Sequence, residues 1–428
     1  MRATLLMAMM VAACSPAKVD GVGGVDTGGD GGSGADGGST SDGGSDDGGS
    51  DDGGGDDSGD PQLPDYDILV DCEGSADYTT IQDAINAATS GDRIALMPCD
   101  YHERIDYIGK YLDIYGLEGP EVTRIDGDDA GTVVNVESGE GAGTRLAGVT
   151  IRDGLDIDGG SALEVTMAAL KLENVIIEEN NDSLYVAYLI NALVDMVDVT
   201  IRDNGVLATG AAIYSDGGIL TATRLDADCG DGDYAMWQHN ATLLLDTTLS
   251  CDAGYGLYSY HGELQVKRGD IYGGIAGIRA FDEEDTPSEQ AIIYNSVVGG
   301  GSVGIHLDYM AVSIANNVVW GGDAAIELLA NSTSSWIIAN VLTESTCGIE
   351  SDLNHTAAYN SFWANGSDTC GLTATNSVTA DPQFASFPDD LSIGAGSPLI
   401  DAGYPSADWY DLDGTRNDIG LTGGPWAD

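Results

Sequence analysis

The chain has 428 residues, with 71 acids against 15 bases and a formal net charge of −56. So few cations leave it no means of gripping a phosphate backbone, which excludes nucleic acid as a partner. The same charge argues against holding acidic polymers by electrostatics alone, and it favours solubility, cation binding or life in salt.

Residues 1–13 read as a short secretory signal. Arg2 precedes the apolar run TLLMAMMVAA, which is too short to span a bilayer. The run ends in VAAC, Val11 to Cys14, which resembles the cleavage box of bacterial lipoproteins. The resemblance implies cleavage before Cys14 and lipid on its sulfur, with Ser15 in place of Asp pointing to the outer membrane. Each buried methylene of the acyl chains adds roughly 0.8 kcal/mol of anchoring. An ordinary signal followed by a chance cysteine is the plainer alternative.

Residues 20–60 are almost only Gly, Asp, Ser and Thr, with twelve acids and no base. Such a tract has no apolar surface to offset ordering entropy, and its like charges repel, so 14–60 reads as a flexible tether. Asp-Gly repeats can bind calcium, but the nonapeptide spacing of calcium β-rolls is missing. Removing those twelve acids, and also Arg2 and Lys18, leaves 59 acids and 13 bases in 61–428, a net charge near −46.

The body opens with DYTTIQDAINAATSGDRIALMP, Asp77 to Pro98, which predicts one short helix and then a buried strand. Thr79 to Gln82 offers a capping box, Ile81, Ile85 and Ala88 share one face, and Gly91 ends the helix.

After it the sequence repeats. Asn, Asp or Arg followed by apolar β-formers recurs at Asn174, Asp198, Arg224, Asp246, Arg268, Asn295, Asn317, Asn340 and Asn360, in steps of 20 to 27 residues. Between these anchors a small residue precedes an aliphatic one, as in AIY, AMW, GLY, GIR, GIH, AIE and GIE. A period near 22 is too short for propeller blades and lacks the leucine spacing of leucine-rich repeats. It fits one coil of an all-β, single-stranded right-handed parallel β-helix, each strand stacked about 4.8 Å from its counterpart. Stacked Asn at a turn can bond to its neighbour above. The first coil of such a stack is an open edge, and the helix is its cap.

Six cysteines remain after Cys14, and an exported chain with an even remainder suggests disulfides. Cys229 and Cys251 each lie five residues after an anchor, and Cys347 and Cys370 each precede a strand motif, CGI and CGL. Both pairs therefore fall at equivalent positions of successive coils, within bridging distance. Cys72–Cys99 clamps the opening segment.

Two stretches carry a family resemblance. DYTTIQDAINAATSGDRIALMPCDYHERI, followed by LDIYGLEGPEVTRIDG, resembles the opening module of pectin-lyase-like β-helix proteins, here 61–127. DPQF, LSIGAGSPLIDAG and DLDGTRNDIG resemble the closing segment of bacterial right-handed β-helix repeat proteins, here 381–428. The resemblance implies the fold for 61–428 and leaves activity open, because one fold hosts many functions. It also implies that ligands lie along the outside of one parallel sheet.

In the small-aliphatic strand the aliphatic residue points inward, so the next points outward. That outward column reads Tyr214, Trp237, Tyr258, Arg279, His306, Glu327 and Glu350. Two residues on, it reads Asp216, His239, Tyr260, Phe281, Asp308, Leu329 and Asp352. Aromatic faces stack on sugars, and carboxylates and His bond hydroxyls or exchange protons. The polysaccharide-binding set is therefore Tyr214, Trp237, His239, Tyr258, Tyr260, Phe281, Glu327 and Glu350. Blander readings stand beside it. Aromatics pair across strands without any ligand, His306 and Asp308 can be solvated, and Glu327 with Glu350 can be a calcium pair or ordinary exposed acids.

The resemblance also implies hydrolase motifs, Asn-Thr-Asp, Asp-Asp and His-Gly, which GDYAMW and GSVGIHLDYM do not match. Arg279 followed by Asp282 to Asp285 is the nearest approach to a lyase base beside acids, so Arg279, Asp282, His306 and Asp308 are the catalytic candidates. The body has three lysines, Lys110, Lys171 and Lys267, and no Cys/His grouping has zinc spacing. Asp411, Asp413 and Asp418 surround Gly414 in a loop that could take calcium, the one cofactor raised, but the closing Glu of an EF-hand is missing; structural capping is the blander role.

The sequence thus predicts a monomeric, lipid-anchored surface protein that binds extracellular or cell-wall polysaccharide along one face, without a standard catalytic centre. A lyase or hydrolase of pectin-lyase-like type, and a non-catalytic adhesin or structural rod, are the alternatives.

Overall fold

The computed structural model describes residues 65–427 apart from 182, 283–288, 330–335 and 354. The signal, Cys14, the tether and the acidic insert after Asp282 lie outside the described residues.

Strand follows strand in parallel register from Ile68–Val70 to Ala374–Thr375. The result is a right-handed parallel β-helix of about 13 turns. Inward aliphatics explain why the chain coils. Ile213, Met236, Leu257, Ile278, Ile305, Ile326 and Ile349 are ladder partners in successive coils, and each is fully buried. Full burial of one such side chain is worth about 1.5–3 kcal/mol over exposure. The small residue before the aliphatic is packed tightly: a Cβ on Gly277 would come within 2.6 Å of Val298.

The anchor column is a left-handed corner. Asn174, Asp198, Arg224, Asp246, Arg268 and Asn295 all have φ between 48° and 55°, the region that short polar side chains tolerate best. From there the expected alignment slips by one residue. The corner passes through Asn316, Ala339 and Tyr359, while Asn317, Asn340 and Asn360 occupy the next position, opposite Ser296. These three Asn are fully buried and form the ladder. Asn317 Nδ2 donates to Asn340 Oδ1 at 2.9 Å, and Asn340 Nδ2 donates to Asn360 Oδ1 at 3.0 Å. A second, shorter ladder joins Asn180 to Asn204 at 2.9 Å.

The helix spans Ile81–Ala87, with Ile81, Ala84 and Ile85 buried against the first coils. Its cap is Thr80, one residue later than expected: Thr80 Oγ1 accepts from Asp83 N. The Glu103 carboxylate accepts the Ile81 and Gln82 amides at 2.7 and 2.8 Å, so a residue between the strands Cys99–His102 and Ile105–Asp106 completes the cap. The helix ends at Ala87, before Gly91, which instead turns with φ 102°.

All three disulfides are present. Cys229 and Cys251 stack in register. Cys347 and Cys370 do not: Cys347 pairs with Ser367, while Cys370 lies opposite Glu350, and their bridge crosses diagonally between coils.

The closing segment, described over 381–427, runs back along the side of the coils. Asn295 Nδ2 donates to the Leu421 and Gly423 carbonyls, Asn316 bonds Asn417, and Phe387 packs on Trp320. Leu399 and Ile419 join Val318 and Val341 in a small core of their own.

Candidate functional site

The outward column lies as the alternation predicts. Tyr214, Trp237, Tyr258, Arg279, His306, Glu327 and Glu350 are consecutive ladder partners, one per coil. The second column is likewise joined through Asp216–His239, Tyr260–Phe281, Phe281–Asp308 and Asp308–Leu329. Arg279, His306, Asp308, Glu327 and the aromatic residues before them are all partly exposed, and Glu350 is exposed.

The early coils form one connected aromatic surface. Tyr214 lies 5.2 Å from Trp237, Trp237 6.0 Å from Tyr258, Tyr258 5.5 Å from Phe281 and Phe281 4.7 Å from Tyr260. Four tyrosines that sequence reasoning missed belong to it. Tyr188 is the ladder partner of Tyr214 one coil earlier. Tyr185 stacks on Tyr214 at 4.5 Å, and Tyr234 and Tyr255 stack at 5.5 Å beside Trp237 and Tyr258. Tyr188 could have been found by stepping the column back one coil. Tyr185 and Tyr234 lie three residues before their columns, off the two-residue alternation, and beside Tyr185 the register also changes.

The rings do not all serve alike. Tyr185, Tyr188 and Tyr214 lie nearly parallel, 13° to 27° apart, so they cover one another's faces. Trp237 stands across that stack, 88° from Tyr214 and 87° from Tyr258. Its Nε1–H donates to His239 Nε2 at 2.9 Å, which fixes the indole and requires that nitrogen to be unprotonated. Burial lowers the His239 pKa, and His261 adds to this while Asp216 opposes it. Burial pushes the Tyr214 hydroxyl up to about 12, with Asp216, Tyr185 and Tyr188 adding to the shift. Both shifts favour the neutral forms of His239 and Tyr214.

Beyond Tyr258 the columns turn ionic. His306 Nε2 lies 3.2 Å from Asp308 and Nδ1 lies 3.0 Å from Glu327, so each ring nitrogen faces a carboxylate. Arg279 Nη1 stands 3.0 and 3.3 Å from the two ring nitrogens, and Nη2 stands 3.6 Å from Asp308. Burial raises the Glu327 pKa; Glu350 and Asp308 add to the rise, and His306 and Arg279 oppose it. Asp308 Oδ1 is buried and meets no donor. The cluster can hold a cationic or hydrogen-bonding group. A ring with both nitrogens committed to carboxylates is poorly placed to abstract a proton.

Asp282, the fourth catalytic candidate, is buried and bonds His261 at 2.8 Å. The calcium candidates are engaged in turns. Asp411 accepts the Asp418 and Gly424 amides, Asp413 accepts from Thr415, and Asp418 accepts from Asp401 N and Thr422. Burial pushes Asp411 up to about 6. Among the described residues, the metal-ligating types come together as a group of three at His102, Asp126 and Asp128 instead. There Arg152 already neutralises Asp126 at 3.2 Å.

No family model matches the sequence, and no curated protein matches it. Solved structures similar to the chain include two A-modules of mannuronan C-5 epimerases from Azotobacter vinelandii. AlgE6 has 16% identity and a TM-score of 0.47, over 71% of this chain and 94% of that one. AlgE4 has 15% identity and a TM-score of 0.41, over 70% and 92%. Pectate lyase Pel9A is similar at 13% identity and a TM-score of 0.43, over 83% and 95%. Likenesses of this size say nothing about this chain's reaction.

Proposed function

We propose that the protein binds polysaccharide along the Tyr188–Glu350 face, and does so without turnover. The observation that carries the reading is the connected, half-exposed aromatic surface, which spans successive coils and runs along the axis of the β-helix. Coils repeat about every 4.8 Å, a rise comparable with one sugar of an extended chain, so consecutive sugars meet equivalent positions. Pyranose rings present C–H faces that pack on aromatic carbon, and the tyrosine hydroxyls and His239 bond sugar hydroxyls. In this reading Cys14 carries lipid and the tether presents the face outside the cell, at the outer membrane.

Polysaccharide cleavage is the second reading, and the Arg279–His306–Asp308–Glu327 cluster is what favours it. The internal ion pairs of that cluster weigh toward holding a ligand. One experiment addresses both readings. The full-length chain is mixed with a panel of neutral, acidic and amine-bearing polysaccharides, and retention, new reducing ends and unsaturated ends are followed. Retention without new ends is expected, and it is lost roughly tenfold or more in Trp237→Ala. Retention that survives both Trp237→Ala and Tyr258→Ala overturns the proposed face, and steady release of new ends overturns binding without turnover.

A further inference from the structure

Resting on that reading, we infer that the polymer is a polysaccharide of amino sugars with free amines, its rings packed on the aromatic coils and its ammonium groups met by the carboxylates that flank them.

The aromatic surface is bounded by acids. Glu164 is the ladder partner of Tyr188 at one end, and Asp308 is that of Phe281 at the other, with Glu327 beyond His306 in the neighbouring column. Glu350 extends the same column by one more coil, and among the described residues no base pairs with it. Asp216 stands beside the aromatics, near enough to act on Tyr188, Tyr214 and His239. Arg279 is the base of this face, and Asp308 already engages it. An anionic sugar would therefore meet a guanidinium that is already satisfied and several carboxylates that repel it. A neutral sugar would leave Glu327, Glu350 and Asp308 crowded together with their charge only partly offset. An ammonium within reach of them supplies the missing charge and N–H donors. The wider charge agrees: the body keeps 59 acids against 13 bases, so a polycation is drawn to it and a polyanion is kept away.

Charge and stacking separate cleanly in the test. Binding of the full-length chain is measured with β-linked glucosamine oligomers of graded N-acetylation, with a neutral glucan and with a uronan, at low and at raised salt. The fully deacetylated oligomer is expected to bind roughly tenfold or more tighter than its N-acetylated counterpart, and the advantage shrinks with salt. Glu327→Gln and Glu350→Gln should each narrow that ratio. Two outcomes overturn the inference while sparing the binding face: the uronan or the N-acetylated oligomer binds as tightly as the amine, or the ratio is unchanged in both glutamine variants. If none of the polymers binds, or if Trp237→Ala leaves all binding intact, the reading beneath it fails instead. Addition of calcium alone checks the remaining occupant of the carboxylates: a saturable calcium site abolished by Glu327→Gln, with no amine preference, overturns the inference as well.

Discussion

Trp237 donates its indole N–H to His239, two residues along the same strand, at 2.9 Å. The bond requires neutral imidazole, and burial keeps it so by lowering the pKa. Asp216 and His261 are the charged or titrating groups that face it, and Tyr214 and Tyr260 pack against its ring. A histidine depressed in the folded state binds fewer protons folded than unfolded. Its stabilising contribution is therefore present above the ordinary histidine value and is lost as pH falls through the lowered one. Tryptophan emission followed against pH should show a transition below pH 6.5 that disappears in His239→Leu and in Trp237→Phe. A wild-type profile identical to both variants would separate Trp237 from His239. Glycan affinity should fall over the same pH window, because the indole loses its anchor.

The stacked tyrosines make a different prediction. Tyr185 lies against Tyr188 and Tyr214 and has its faces covered by them. Tyr185→Ala should lower stability by about 1–3 kcal/mol, from lost burial and ring pairing, and should weaken glycan retention far less than Trp237→Ala does. Denaturant titration and a binding assay on the same two variants separate the roles. Equal loss of binding in both would make the stack itself a sugar platform.

Much of this face was legible because a β-helix turns one local rule into a long-range one. Once a small residue and an aliphatic mark the inward positions, the next residue points out, and equal coils put Tyr214, Trp237, Tyr258 and Arg279 in line. The rule fails where the local signal changes. Asn295 and Asn317 look alike in sequence, yet the coil from one to the other puts Asn316 at the corner and Asn317 on the ladder. Thr79 and Thr80 are equally good caps by residue type, and the Glu103 carboxylate that helps to decide between them comes from 22 residues away. Cys370 precedes a glycine and an aliphatic as Cys347 does, but it lies three positions further along its coil. The pairing of His306 with both Asp308 and Glu327 spans two coils, and it follows only from the register.

The disulfide that joins Cys229 to Cys251 closes 22 residues of chain, one coil. Loop-closure entropy gives roughly 3 kcal/mol for a bridge of this span. Part of that is already secured by the parallel pairing on either side, so Cys229→Ser with Cys251→Ser should lose about 2–3 kcal/mol in denaturant unfolding. Local opening of the Tyr234–Leu245 strand, read by amide exchange, should rise alongside. Unchanged exchange there would place the bridge's effect in the unfolded chain alone.

Asn340 is the centre of the buried ladder and carries more bonds than its neighbours' spacing alone requires. Its Oδ1 accepts from Asn317 N and Nδ2, and its Nδ2 donates to the Ile314 carbonyl and to Asn360 Oδ1. Alanine there removes four hydrogen bonds at once and leaves buried donors and acceptors in two neighbouring coils without partners. Each orphaned group costs about 1–3 kcal/mol, and relaxation of the neighbours returns part of that, so Asn340→Ala should cost about 3–5 kcal/mol. Asn340→Asp should be nearly as harmful, because the Oδ1 acceptor survives but a second oxygen faces the Ile314 carbonyl. Removing the Asn295 side chain, which bonds to the closing segment at Leu421 and Gly423, should instead loosen that segment before the coils, with early amide exchange at 417–424. If global unfolding by denaturant is shifted equally by Asn295→Ala and Asn340→Ala, the ladder has no special standing, and the coils and the closing segment melt as one unit.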